Sequence, residues 1–334
     1  TDSSTGRRAR LFARIAELVK PLGANVVDLD TEPFPEVQVP DPVRFAKVRL
    51  AKRLLDCDVY VSLPTLKTHD EVGVTVSIKN MYGCISRRDK IDYHRLGAIE
   101  EVIVDLNAAR KPDVTIVDGT YSTFHFGPRK EFPETHRLDL ALAGFDPVAV
   151  DTVAAKVIGV DPRTIRYLTW AEERALGVTD EERIETVGLP VREAYRKNTT
   201  TCVEYDNQHH AHVRLLDYGS CTGCYGRIAT LVLMANDEKM QDDLCLQMGP
   251  GAKPIREKNV LLCGSCAAPT FYNRLVGTFI PGCPPDLAPI AEKLEAVGAV
   301  FPSFLKLLFG KEPPPQSLVD QVMSQIAAAA EQEE

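Results

Sequence analysis

The chain has 334 residues, with 39 Lys and Arg against 47 Asp and Glu and a formal net charge of −8. Its 44% hydrophobic and 26% charged composition is that of a globular protein and excludes a disordered or collagen-like chain. The acidic balance disfavours nucleic acid as a partner, and no run nears the roughly 18 to 20 apolar residues that span a bilayer.

The length exceeds what one hydrophobic core usually serves, so two domains are expected. Residues 6–22 have helical spacing, with Leu11, Ile15, Leu18 and Val19 on one face, and Pro21 and Gly23 end the pattern. A buried strand is expected over 23–30, a helix over 45–56 and a second strand over 57–64. A polar, Gly-containing stretch follows at 66–83. The pattern then predicts a helix near 97–110, a strand over 112–119, an apolar run at 138–144 and a helix over 147–159 with Pro147 in its first turn. Strands alternating with helices define an α/β fold with a mostly parallel sheet. Residues 190–212 are polar and aperiodic and read as a linker. Beyond them a second, smaller α/β unit reads as strand, helix, strand, helix. The expected organisation is therefore 1–190, a linker at 191–212, a cluster domain at 213–309, and a Pro-rich break with a terminal helix at 310–334.

Six of the nine cysteines fall between Cys221 and Cys283. Cys221 and Cys224 make a C-x-x-C after a predicted strand, Cys263 and Cys266 make another, and Cys283 lies in the segment IPGCPP. Loops that follow strands converge at one edge of a parallel sheet, where open α/β sheets place ligands. Zinc prefers four closed ligands, which two C-x-x-C pairs could supply, but the 38 intervening residues exceed the usual ribbon spacing. An iron–sulfur cluster tolerates ligands on distant loops. The expected ligands are Cys221, Cys224, Cys266 and Cys283, holding one [4Fe-4S] cluster, with Zn as the alternative cofactor. Cys263, at the end of an apolar strand, is the substitute ligand or a small core hydrophobe. IPGCPP followed by a helix is similar to the cluster loop in small subunits of respiratory complex I and of nickel–iron hydrogenases. That resemblance implies a flavodoxin-like domain with the cluster at its loop edge. Cysteines gathered in this way suit a reducing compartment, so a cytoplasmic location is expected.

In the first part, Lys67, His69, Lys79 and Asn80 place two ammonium groups and an imidazole together in an acidic chain, which would attract a carboxylate or phosphate. Asp118 ends a predicted strand and joins Lys67, His69, Lys79 and Asn80 as a candidate catalytic residue. Asp146 before Pro147 reads as a helix N-cap, and Asp151 as a residue buried against a helix start. His209, His210 and His212 form H-H-x-H in the polar linker and read as a solvated or tag-like run, with metal binding as the alternative. No G-x-S-x-G, H-E-x-x-H or strand-borne G-x-G-x-x-G is present, which disfavours serine hydrolases, zincins and common nicotinamide dehydrogenases.

Pro64, Lys67, Thr68 and His69, then Lys79, Asn80 and Gly83, IVDG at 116–119, Gly127-Pro128 and AGFDPVAVD at 143–151 resemble, in order, the DUF362 family. That is an α/β family of uncharacterised function that often carries iron–sulfur modules. The resemblance covers residues 1 to about 190 and implies a further strand and a Lys- or Asn-bearing loop ahead of Thr1. Together these readings lead to an iron–sulfur redox enzyme or electron-transfer protein. It would act on a small anionic molecule, with a redox protein as partner. The alternatives are a non-redox binding or scaffold module with a structural metal, and a lyase or isomerase that uses Lys67 or His69 as base.

Overall fold

The computed structural model describes residues 13–69, 71–123, 135–196, 207–253, 255, 259–268 and 277–301. The expected terminal helix at 310–334, residues 6–12 of the first helix, Gly127-Pro128 and Cys202 lie outside the described residues.

Buried apolar residues of the first part form one large cluster drawn from Val39 to Ala194. Its strands are β1 (Glu36–Gln38), β2 (Lys47–Arg49), β3 (Val61–Ser62), β4 (Lys67–His69), β5 (Gly73–Thr75), β6 (Val114–Thr123) and β7 (Thr135–Gly144). Its helices are α1 (Lys52–Asp56), α2 (Ser77–Asn80), α3 (Arg87–Arg95), α4 (Ile99–Ala109), α5 (Pro147–Val157), α6 (Arg166–Glu173) and α7 (Val191–Ala194). A three-stranded sheet runs β3-β6-β7, while β1-β2 and β4-β5 form separate pairs.

The mostly parallel sheet expected here is not what forms. Among the described residues of this part only β3 and β6 run parallel, and the β1-β2, β4-β5 and β6-β7 pairs are antiparallel. Local connections explain this: β4 and β5 are three residues apart, and β6 and β7 pair along most of their length, so no crossover is needed. The helix expected over 45–56 divides likewise. Lys47–Arg49 pairs with Glu36–Gln38, and only Lys52–Asp56 is helical. The strand expected at 23–30 is absent, and residues 29–31 make a 3-10 turn. Residues 13–19 are helical as expected, but Ile15 and Leu18 remain 40% and 72% exposed, so this apolar face is not packed on the core.

Helix α5 starts as its sequence predicts. Pro147 occupies the first turn, and Asp146 accepts hydrogen bonds of 2.9 Å from the Val148 and Ala149 N–H groups.

The second part holds β8 (Val213–Asp217), α8 (Thr222–Leu233), β9 (Leu244–Met248), β10 (Val260–Cys263), β11 (Thr278–Ile280) and α9 (Leu287–Ala296). All its strands are parallel, in the order β11-β10-β9-β8. Every residue of β9 and β10 is buried, the pattern of parallel strands covered on both faces. Helices α8 and α9 cover one face, where Ile228, Leu246, Leu261 and Ile290 meet. Among the described residues, no helix is long and apolar enough to cross a membrane.

Candidate functional site

The cysteines lie where the strand order predicts, at the C-terminal edge of the parallel sheet. Cys221 is the N-cap of α8, and Cys224 sits in the helix's first turn, 2% exposed. Helix α8 therefore starts earlier than the sequence pattern indicated, and the C-x-x-C is its opening turn, not a loop ahead of it. The loops after β10 and β11 are tied together: Ser265 N–H donates to Gly282 O at 2.8 Å, and Gly282 N–H to Ser265 Oγ at 3.1 Å. This brings Cys266 and Cys283 to the same edge. A Cβ added at Gly264 (φ +96°) would stand 3.1 Å from Cys224 Sγ, so glycine leaves the space that this sulfur borders.

The thiols act on one another electrostatically. Cys224 donates to Cys221, and this bond, with the Arg166 guanidinium and the Gly223 and Cys224 N–H groups, outweighs burial and lowers Cys221 to about 6. Its hydrogen bond to Cys221, burial, and the charges of Cys221, Cys266 and Cys283 push Cys224 well up. Burial raises Cys266, with Cys221 and Cys283 adding to the effect. Cys263 stands apart: it is fully buried, and burial followed by Cys245 raises its thiol. Among the described residues, no group of three or more His, Cys, Asp or Glu is arranged to hold a metal ion. The four thiols are thus gathered without chelating geometry.

Lys67 and His69 lie on β4, paired across the hairpin with Thr75 and Gly73. Burial lowers the Lys67 ammonium, and among the described residues no carboxylate pairs with it. Thr75 Oγ1, opposite Lys67, is buried without a hydrogen-bond partner, as are Ser122 Oγ and Thr123 Oγ1 near the end of β6. His69 Nδ1 accepts from Glu71 N–H at 3.1 Å, and Glu71 lies 3.5 Å from His94 Nδ1. His94 packs edge-on against Tyr82, whose ring lies 5.0 Å beneath Lys79 Nζ. Lys79 is thereby linked to His69 by a chain of contacts that passes through the Glu71 backbone N–H. Asn80 and Asp118 look elsewhere. Asn80 donates to Ser62 Oγ at 3.0 Å, while the exposed Asp118 accepts from Thr120 N–H at 2.9 Å, which keeps it below the usual carboxylate range.

The hairpin and the cysteine helix touch. A Cβ on Gly73 would lie 3.0 Å from Thr222 Cγ2, between Cys221 and Cys224. Directly paired residues of antiparallel strands project to one face, so the face carrying Lys67 and His69 is the one that meets Thr222. The same threonine accepts from Arg166 N–H at 3.2 Å and donates to the buried Glu100. Burial lifts Glu100 to about 8 against the pull of Thr222 and Arg166. Arg166, Glu100 and Thr222 carry no sequence signature and were not expected.

Asp151 is wholly buried and accepts from the Ser77 and Ile78 N–H groups at 2.6 and 3.1 Å, anchoring the turn that bears Lys79 and Asn80. The histidine run is not simply solvated. The His210 side chain is 7% exposed with Nδ1 3.4 Å from Asp237, and His212 Nδ1 lies 2.8 Å from Asp243.

These features define an α/β protein with a cysteine-lined sheet edge abutting a basic hairpin. Residues 1–156 match the family described as "Domain of unknown function (DUF362)". A curated relative, Thylakoid-associated protein sll1697 of Synechocystis sp. (strain ATCC 27184 / PCC 6803 / Kazusa), is 31% identical over 147 residues, which is 42% of this chain and 45% of that protein. The chain thus spans under half the length of the curated relative it matches. No solved structure matches the chain.

Proposed function

We propose that the chain is an iron–sulfur redox protein in which Cys221, Cys224, Cys266 and Cys283 hold one [4Fe-4S] cluster. The observation that carries this reading is that the Ser265–Gly282 hydrogen bonds tie the loops of Cys266 and Cys283 together at the sheet edge where Cys221 and Cys224 open α8, while Cys263 is buried within β10. An iron–sulfur cluster takes ligands from separate loops, as these four stand, whereas zinc is usually closed by C-x-x-C pairs at shorter spacing. The donor chemistry fits as well: Gly264 leaves space beside Cys224, and backbone N–H groups favour charge on Cys221. Such a cluster would supply single electrons.

The ligand of the first part is a small carboxylate or phosphate. Lys67 is a half-buried cation without a carboxylate partner among the described residues, and it shares a face with His69 beside Thr222. Lys79 lies within the same chain of contacts, and Asn80 orients Ser62 next to it.

The test is iron and acid-labile sulfide in anaerobically purified protein. Electron paramagnetic resonance of the reduced protein would follow, with and without inorganic phosphate or small carboxylates. Stoichiometric iron and sulfide with an anion-sensitive signal are expected. A colourless protein with stoichiometric zinc would overturn the cluster, and a signal indifferent to anions and to Lys67→Ala would overturn the anion site.

A further inference from the structure

Arg166 comes from α6 in the first part of the chain, yet its guanidinium lies against the cysteine turn of the second. A Cβ at Gly223 would overlap Arg166 Nη1 and stand 2.8 Å from its Cδ, so the glycine inside the C-x-x-C leaves the room the guanidinium fills. Three contacts hold the arginine there. Its guanidinium stacks on Trp170 with 4.3 Å from Cζ to the ring centroid, its N–H donates to Thr222, and Nη1 lies 3.7 Å from Glu100 Oε2. The side chain is 14% exposed, so water screens its charge weakly.

Glu100 would ordinarily cancel that charge. Burial lifts its carboxyl to about 8, which favours its neutral form and leaves the guanidinium, seated against Gly223, as the charge beside the cysteine turn. Every contact that fixes Arg166, other than Thr222 itself, comes from the first part of the chain.

We propose that Arg166 is a positioning residue of the cysteine site, reaching from the first part of the chain to favour negative charge on whatever Cys221 and Cys224 hold. The inference rests on the cysteine-held group proposed above. A cluster gains negative charge when it takes up an electron, so a fixed cation beside it raises its reduction potential. A side chain of the first part of the chain would thereby tune the site held by the second.

The test compares the wild type with Arg166→Gln, Arg166→Lys and Gly223→Ala, each reconstituted anaerobically and titrated with dithionite. The midpoint is read by electron paramagnetic resonance alongside iron content. Arg166→Gln is expected to shift the midpoint negative at unchanged iron content, with Arg166→Lys restoring part of the shift. Gly223→Ala is expected to reproduce the shift, because its methyl displaces the guanidinium without removing it. An Arg166→Gln protein with full iron and an unchanged midpoint would overturn the proposal.

Should the wild type hold no iron, the cluster reading fails and Arg166 is judged on the reduced, metal-free protein. There the rate of cysteine modification by a dianionic disulfide reagent, taken relative to neutral iodoacetamide, is expected to fall several-fold in Arg166→Gln and to stay near the wild-type value in Arg166→Lys. Equal relative rates in all three proteins would overturn the proposal by this second route.

Discussion

Gly73 of the β4-β5 hairpin lies against Thr222 of the cysteine helix so closely that an added Cβ would approach the threonine methyl to 3.0 Å. Its φ of +79° also places it in the left-handed region. Gly73→Ala is therefore expected to lose about 1–2 kcal/mol from backbone conformation alone, before any displacement of Thr222. Urea unfolding measures the loss, and an unchanged midpoint would contradict the left-handed backbone at this position.

Asp151 satisfies two buried N–H groups at once. Asp151→Ala leaves both without an acceptor and is expected to cost about 2–4 kcal/mol. Asp151→Asn keeps one acceptor oxygen and is expected to cost less. The ordering of the two variants in chemical denaturation is the check.

Glu100 and Asp151 also set a pH dependence. Burial lifts each to about 8 in the folded protein, above the ordinary values of 4.5 and 3.8. Between those ordinary values and about 8 the folded state binds more protons than the unfolded state, so stability falls as pH rises through this window. Well below those ordinary values both states are protonated at these positions, and the two groups contribute no slope. Unfolding free energy is expected to be higher at pH 5 than at pH 8. Glu100→Gln, which keeps an acceptor for Thr222, is expected to flatten that slope, and a slope unaffected by the substitution would remove Glu100 from the account.

Cys263 and Cys266 stand three residues apart with opposite expected roles. Cys263→Ser places a hydroxyl in an apolar core and is expected to cost about 1–3 kcal/mol while iron content stays at the wild-type level. Cys266→Ser, half-exposed, is expected to leave the melting of the metal-free protein nearly unchanged and to lower the iron retained. Iron analysis beside thermal melts separates the two; iron lost only from the Cys263 variant would exchange their roles.

Strong local patterns were readable from the chain alone. Asp146-Pro147 announced α5 because capping chemistry is local, and the apolar residues of β6, β8 and β10 announced strands. Gathering of the cysteines followed from strands ending at a common edge. Strand direction was not readable, because it depends on whether the chain returns by a turn or a crossover, as β6 and β7 illustrate. Leu244–Met248, an interior strand of the second sheet, was missed, since five buried residues with a Cys and a Gln among them show no alternation. Residues 23–30 failed in the opposite sense: an apolar run is a strand only if another strand lies beside it, and none does among the described residues. The Arg166-Glu100-Thr222 contact joins positions 66 and 56 residues apart, and nothing in the local composition of any of them hints at the others.

The four gathered thiols differ steeply in their access to solvent. Cys224 is 2% exposed, Cys221 and Cys266 are intermediate, and Cys283 is open. Because β8, β9, β10 and β11 neighbour one another in chain order, the sheet can grow strand by strand during synthesis, and Cys283 arrives last, on the outermost strand's loop. A thiol reagent in solution therefore meets Cys283 first and Cys224 last, so the order in which the four react reports how intact this edge is.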